Sequence, residues 1–467
     1  MAWVEQLKDK YIIQIKREEI RMKKKKLLVT FSATVISASL LLAGCGGSDD
    51  SSSKSSSKSE GSNDSKVTLT FWDENAGPQR TPIWEELIKR FEEENPNIDV
   101  EYVGLPKDQA KSKIDTAIAA DDLPDVASVQ TTWLPEFSIR DALLPLDDYY
   151  KKSELNGKIN DGAVEFNKKI VNDNKLYGIP YTQNLDVIWV RPDLFEQNGV
   201  KIPETWDEFF TAAKEMTKDG VYGYTIRGGA GGSFQLQRLM YAYSGIKDYV
   251  KKDGTSTIND PKHIEFLKKY FALYNKYTPK SDITNGYKEM VAAFDTGVVS
   301  MVHHNIGSFG EHSEALEPNQ FQAIPLPKSE EGYYEAEGGN TINISIFKST
   351  KNPDAAWKFA EFINSKESQS YWNEKVGQIP TNSDCLQDEW VQNSQHIKLA
   401  FEVYDDPNTV LYEPPFYIPD YRSILDNIVD PGTQAVMSGE KTVEEFLDEW
   451  AKAIEDSVAK YRETFKK

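Results

Sequence analysis

Polar and apolar positions change rhythm repeatedly along the chain, and each change marks an element. An apolar run at 27–42 is followed by 46–66, which has almost no apolar side chain. Val67, Leu69 and Phe71 then alternate with their neighbours, the period of a half-buried strand. Thr81-Pro82 opens a helix, with threonine as cap and proline in the first turn. Ile83, Leu87, Ile88 and Phe91 recur at helical spacing until Asn95-Pro96 ends it. Residues 98–103 read as a strand, 107–120 as a helix through Ala110, Ile114, Ala117 and Ile118, and 126–129 as a buried strand. This alternation predicts a parallel sheet. Ligands on such sheets lie beyond the C-terminal strand ends, which sets the loops after Trp72 and Val129 beside a cleft.

Residues 176–190 form a long extended stretch, read as a crossing between lobes. Thr205 to Glu208 fits a capping box, opening a helix through Phe209, Ala212, Ala213 and Met216. A strand is expected at 221–226, then a glycine-rich loop at 228–232 and a helix from Ser233. Further helices are expected at 261–274, ending at 290–294, at 353–363 and at 366–373, and strands at 298–302, 323–326 and 342–347. The terminal helix, 442–461, carries Val443, Phe446, Leu447, Trp450 and Ile454 as its apolar stripe. About 400 residues follow the polar stretch, more than the ~250–300 at which a single core stops growing, so two lobes are expected.

The N-terminal pattern changes the picture. Lys23 to Lys26 precede the apolar run, and Leu42-Ala43-Gly44-Cys45 closes it, the pattern of a secretory signal. The cysteine after Leu-Ala-Gly resembles the bacterial lipobox, which implies cleavage before Cys45 and lipid attachment to its thiol. An uncleaved membrane helix is the alternative, since the run is near the lower limit of about 17–25 residues for a span. Residues 45–65 make a flexible Ser-rich tether. Residues 1–21 precede the signal where none should, so Met22 is the expected start. With Cys45 acylated, Cys385 is a lone thiol and the fold owes nothing to disulfides. The chain has 54 Lys+Arg against 74 Asp+Glu, a formal net charge of −20, which argues against nucleic acid as a partner.

Several groups invite chemistry. The 228–232 glycines precede a helix as in a phosphate loop, but they lack the Lys-Ser/Thr ending of a nucleotide loop. A ligand-approaching loop is the better reading, and a phosphorylated sugar contacted by Arg227 stays open. His303, His304 and His312 lack a recognised metal-ligand spacing, and no H-E-x-x-H is present. Two carboxylates could flank a glycosidic bond, although sequence gives no distance between them. Among the aromatics, Tyr181, Trp189, Trp372 and Phe416 fit a core, whereas Trp72, Trp133, Phe309 and Tyr417 lie in loops at strand ends.

The ordered motifs TLTFWDE (68–74), LPDVASVQ (123–130), LYGIPYTQNLDVIWVRPDLFEQNG (176–199), PETWDEF (203–209) and FDTGVVSMVHHNIG (294–307) carry a resemblance. AIPLP (323–327), EGGNTINISIFKSTKNPDAAWKFAEFI (337–363) and VGQIPTNSD (376–384) continue it. From Val67 to the C-terminus the chain resembles a family 1 extracellular solute-binding protein, the sugar-capturing part of a bacterial ATP-driven importer. Val190-Arg191-Pro192 stands where that family usually reads Tyr-Asn-Lys, and Phe309 where a tryptophan is common. The resemblance implies a two-lobe α/β fold of the maltose-binding type with crossing hinge strands, a sugar enclosed between lobes, no cofactor, no metal and no catalysis. It implies a first lobe of 66–177 and 340–385 and a second of 178–339 and 386–467. The ligand set it implies is Trp72, Glu74 and Asn75; Thr132 and Trp133; Tyr181, Asn184 and Asp186. From the second lobe and the later crossings it adds Arg227, His304, Gly307, Phe309, Gly338, Gly339, Asn340, Tyr417 and Tyr421. The expected protein is a monomer, anchored by Cys45 outside a Gram-positive membrane and delivering carbohydrate to permease subunits of an ABC transporter. The alternatives are a receptor for a polyol or glycerol-phosphate ester, and a secreted glycoside hydrolase.

Overall fold

The computed structural model describes residues 66–465; the apolar run, Cys45 and the serine-rich stretch lie outside them. Among the described residues no helix is long and apolar enough to cross a membrane.

β1 (Val67–Asp73), β2 (Ile98–Gly104) and β3 (Val126–Gln130) pair in parallel, as the alternation of strands and helices predicts. Leu69 and Phe71 are buried and Thr68 is exposed, the period expected of β1. The sheet is mixed rather than wholly parallel. β4 (Ile179–Gln183) and β9 (Thr341–Ile346) join it antiparallel, giving the order β2-β1-β3-β9-β4. These two strands come from distant parts of the chain, so the local rhythm cannot reveal them.

A second, antiparallel sheet holds β5 (Asp186–Val190), β6 (Met301–Asn305) and β7 (Gln322–Pro325), in the order β6-β5-β7. β8 (Glu335–Glu337) pairs in parallel with β10 (Val410–Tyr412). The 221–226 stretch, expected as a strand, belongs to no sheet. The Asp282 carboxylate accepts from Thr225 Oγ1 at 3.0 Å and Ile226 N at 2.7 Å, so a side chain does the work of a neighbouring strand. Residues 298–300 lie beside Tyr222, which moves the start of β6 beyond 298. Thr81 is inside its helix rather than capping it; the helix Thr81–Glu94 has Arg80 at the cap position, without a side-chain bond. The capping box of Thr205 and Glu208 is present, at the head of the helix Trp206–Glu215.

Three segments connect the sheets. β4 runs through Asn184 and Leu185 into β5, and 338–340 run from β8 into β9. After the helix Lys366–Val376, Ile379 pairs with Gln183, and the chain continues to the helix Gln395–Asp405. The pairing of Ile179–Gln183 with β9 keeps this strand in the first sheet, so the chain leaves that sheet at Asn184 and not at the expected 177/178 boundary.

The first sheet's core is aromatic. Trp84 is fully buried, with Phe71 at 4.8 Å, Trp372 at 4.4 Å and Tyr181 at 5.6 Å between ring centroids. Phe359, on the helix Pro353–Ile363, meets Phe71 at 5.3 Å and Phe91 at 5.1 Å. Trp84→Ala is expected to cost about 3–5 kcal/mol, read as a lower urea midpoint. A midpoint within error of the native chain would contradict this packing.

Candidate functional site

A cavity of about 210 Å³ opens where the strand ends and crossings converge. The end of β3 and the turn after it supply Gln130, Thr131, Thr132 and Trp133, and the first turn of the helix Lys107–Ala120 supplies Lys107, Asp108 and Lys111. Facing residues come from the 227–231 loop, the helix Gly232–Ser244 and the end of β6: Arg227, Phe234, Gln235, Arg238, His304 and Asn305. The crossings contribute Asn184, Gly339 and Asn340.

Several of these groups hold unused hydrogen-bonding capacity. Thr132 Oγ1, Trp133 Nε1 and Arg227 Nε are buried without a partner among the described residues. The core indoles of Trp84, Trp206, Trp372 and Trp450 share that property, so the Trp133 N–H alone says little. Its meeting with Thr132 and Arg227 on one cavity says more, because a buried polar group without a bond costs about 1–3 kcal/mol. His304 Nδ1 lies 3.2 Å from the Asn305 carbonyl, which can only accept, so Nδ1 carries the proton. Burial, then the charges of Lys107 and Arg227, hold this ring well below its usual pKa, and it is neutral. Nε2 is therefore an acceptor.

Beside the cavity is a buried charge cluster. Arg238 contacts Asp186 at 3.1 Å and also bonds Glu337, which accepts from Tyr412 Oη at 3.2 Å. Burial opposes the charge on Asp186, but Arg238 and His303 hold its carboxyl below the ordinary range. Asn340 Nδ2 donates to the same carboxylate at 3.3 Å.

Of the residues expected at the ligand, Thr132, Trp133, Asn184, Arg227, His304, Gly339 and Asn340 line this cavity. The others lie elsewhere. Tyr181 is packed between Trp84 and Trp372 in the core, and Tyr421 is buried with its hydroxyl donating to Gln237 Oε1 at 2.7 Å. Asp186 is committed to Arg238 and borders a smaller adjoining cavity. Trp72 packs on the largest core cluster, and Tyr417 on Tyr461 at 5.1 Å. Glu74 is buried and accepts from Gln130 Nε2 at 2.9 Å, so Gln130 stands where Glu74 was expected; Asn75 N donates to Asp73 Oδ1 at 3.2 Å. Gly307 N donates to Asn305 Oδ1 at 3.0 Å, and Gly338 N to the Tyr412 carbonyl at 3.0 Å. Phe309 stacks on His396 with centroids 4.0 Å apart.

Lys107, Gln235 and Arg238 are among the cavity residues that sequence reasoning missed, with Asp108, Lys111, Gln130 and Phe234. Lys107 follows the end of β2, so the strand-end rule applied to Trp72 and Val129 reaches it too. Gln235 and Arg238 lie three apart on one helix face, but nothing local says which face meets the cleft. The histidines are separate: His303 faces Asp186 at 3.3 Å, His312 bonds Asp295 at 2.6 Å, and His304 lines the cavity. Among the described residues no group of three or more His, Cys, Asp or Glu could hold a metal.

The architecture is that of a two-lobed α/β protein with a cavity where strands pass between sheets. Residues 77–370 match the profile of the bacterial extracellular solute-binding proteins, more than half of the chain, and the chain belongs to that family. The multiple sugar-binding protein of Streptococcus mutans is 26% identical over 340 residues, covering 68% of this chain and 76% of that protein. The mannitol-binding protein of Pseudomonas aeruginosa is 24% identical over 374 residues, covering 72% and 81%. The GacH receptor of Streptomyces glaucescens, solved unliganded and with acarbose, superposes with a TM-score of 0.74 at 23% identity. That match covers 86% of this chain and 99% of that one, and the maltose-binding type of fold is the one observed. The family binds solutes without converting them, so this is a binding protein and not a hydrolase.

His396, beneath Phe309, gives a test of this packing. Burial lowers its pKa from 6.5 to about 4. The unfolded ring takes up its proton near 6.5 and the folded ring only near 4, so its contribution to stability is complete above 6.5 and falls as pH drops toward 4. Asp73, raised to about 6 by burial, slopes the other way, so the variant comparison isolates the histidine. His396→Gln should lose less stability than the native chain between about pH 7 and about pH 5, measured by urea midpoints. An equal loss in both would contradict the buried, neutral ring.

Proposed function

We propose that this protein is a lipid-anchored receptor that encloses a sugar or oligosaccharide between its lobes and delivers it to an ATP-driven permease. One observation carries the ligand reading. An indole and a hydroxyl at the end of β3 share a cavity with His304 and Arg227 from the second lobe, and several of their polar atoms have no partner among the described residues. Sugars present an apolar ring face and a fringe of hydroxyls, which suits an aromatic wall with convergent donors and acceptors. The sugar and mannitol binders among the relatives support a carbohydrate or polyol, and the family supports the partnership with a transporter. The anchor rests on the sequence around Cys45, outside the described residues.

A panel of sugars and polyols read by thermal shift and titration calorimetry tests this. A true ligand at about 100 times its Kd stabilises the fold by about 2.7 kcal/mol, a rise of a few degrees. Trp133→Ala should weaken binding about tenfold or more with the far-ultraviolet circular dichroism unchanged. Unchanged affinity would remove Trp133 from the site. No shift with any carbohydrate or polyol would end the ligand reading. Separately, Cys45→Ala should move the protein from the membrane fraction to the medium with affinity unchanged; a variant still membrane-bound would exclude the lipid anchor.

A further inference from the structure

We propose that the solute is an acidic sugar whose carboxylate or phosphate is held by Arg227, with Lys107 as a second cationic contact from the opposite lobe; this rests on the carbohydrate reading above.

The cations on the cavity divide into two kinds. Lys111 is paired with Asp115 at 2.8 Å and Glu136 at 2.6 Å, Arg238 with Asp186 and Glu337, and Arg422 with Asp426 at 2.8 Å. The Arg227 side chain has no hydrogen bond or ion pair among the described residues, and its Nε is buried. Among the described residues Lys107, exposed at the mouth, meets only the face of Tyr287, 5.7 Å from its ammonium. Arg227 is half-buried, with Nε covered and no anion beside it, so an anion in the cavity would complete its pairing.

The fold has had the means to neutralise Arg227 and does not use them. Asp430 is near enough for its charge to act on Arg227, yet its oxygens accept from Gly231 N at 3.0 Å and Ser233 N at 2.8 Å. That carboxylate caps the helix Gly232–Ser244, leaving the guanidinium free. Gly231, at φ +79°, lets the guanidinium lie against the loop, since a Cβ there would fall 2.7 Å from Nη2. The arginine is thus positioned from behind and bare toward the cavity.

Among the described residues none of the carboxylates near the cavity makes an ion pair with Arg227 or Lys107. Glu337 is bound to Arg238, Glu74 accepts from Gln130, and Glu311 accepts from Tyr287 Oη at 3.0 Å. Asp108 lines the mouth and is exposed, where solvent weakens its hold on either cation. Two cations on one cavity without an ion pair, in a chain of formal net charge −20, are more than neutral hydroxyls require. A planar, multi-donor guanidinium matches a carboxylate or phosphate edge. Lys107 begins the helix after β2 and Arg227 precedes the helix of the other lobe, so closure brings two like charges toward one cavity. An anion between them turns that repulsion into attraction and couples binding to closure.

The test uses the full chain and matched ligands: glucose with glucuronate and glucose 6-phosphate, and galactobiose with digalacturonate. Titration calorimetry and thermal shift are run on the native protein, Arg227→Gln, Lys107→Gln and, as a charge-matched control, Lys201→Gln on the exposed surface. An acidic member should bind about tenfold or more tightly than its neutral counterpart, and the preference should shrink about tenfold in Arg227→Gln and less in Lys107→Gln. Lys201→Gln should keep it. Glucuronate or digalacturonate against glucose 6-phosphate tells carboxylate from phosphate. Equal or tighter binding of the neutral sugars, or a preference that survives Arg227→Gln in a folded variant, overturns the proposal while leaving the carbohydrate reading standing. Binding of inorganic phosphate as tight as that of any sugar overturns the sugar half of it. Silence from every sugar overturns both readings together.

Discussion

The connection between the two sheets depends on Asn184, whose polar groups bond to both of the other crossings. Its N–H donates to the Asn340 carbonyl at 2.9 Å, and its side-chain oxygen accepts from Gln378 Nε2 at 2.8 Å. Its own carbonyl accepts from Tyr404 Oη at 2.9 Å. Asn184 and Gln378 are buried, where an unmade bond would cost about 1–3 kcal/mol. Gly307 presses on the same place, for a Cβ there would lie 3.0 Å from both Asn184 Oδ1 and Gln378 Nε2. Because Asn184 and Asn340 also line the cavity, whatever fills it touches the joint between the lobes.

The charge arrangement follows the same economy of partners. Asp186 directly follows the first crossing, and its oxygens meet Arg238 and Asn340, from the helix Gly232–Ser244 and the second crossing. A buried arginine between two carboxylates is poor evidence of net stability, because desolvation offsets most of the attraction. Its consequence is positional: it holds Asp186 in place, and Asn340 donates to the same carboxylate. Arg227 is the opposite case. Asp430 accepts from backbone N–H groups, and among the described residues it makes no ion pair with the Arg227 guanidinium beside the cavity.

The glycines at 228–232 show how composition misleads without packing. Their amides are already taken: Gly228 N by the Asp282 carbonyl, Gly229 N by Asn285, Gly231 N by Asp430, Gly232 N by Gly229. A Cβ at Gly228 or Gly229 would lie 2.6 or 2.5 Å from a carbonyl oxygen of the 282–284 segment, and one at Gly232 2.0 Å from the Arg227 carbonyl. These residues are glycine so that backbone can pack on backbone. The amides of these four glycines are not free to cradle a phosphate.

Much of the fold was written locally. Alternation in β1, the helical spacing of Ile83 to Phe91, the capping box at Thr205 and the stripe from Val443 to Ile454 each specify an element through their neighbours alone. The size of the chain asked for two lobes, and the ordered motifs identified the family. The sequence could not say that Ile179–Gln183 stays in the first sheet, since its partner Thr341–Ile346 lies far along the chain. Nor could it separate Trp133, at the cavity, from Trp72, packed on the core, because both read as aromatics at strand ends and only packing decides between them. Arg227 and Arg238 are alike as letters. Which of them is left unpaired was settled by Asp430, Asp186 and Glu337 arriving from distant segments, and that is a tertiary fact.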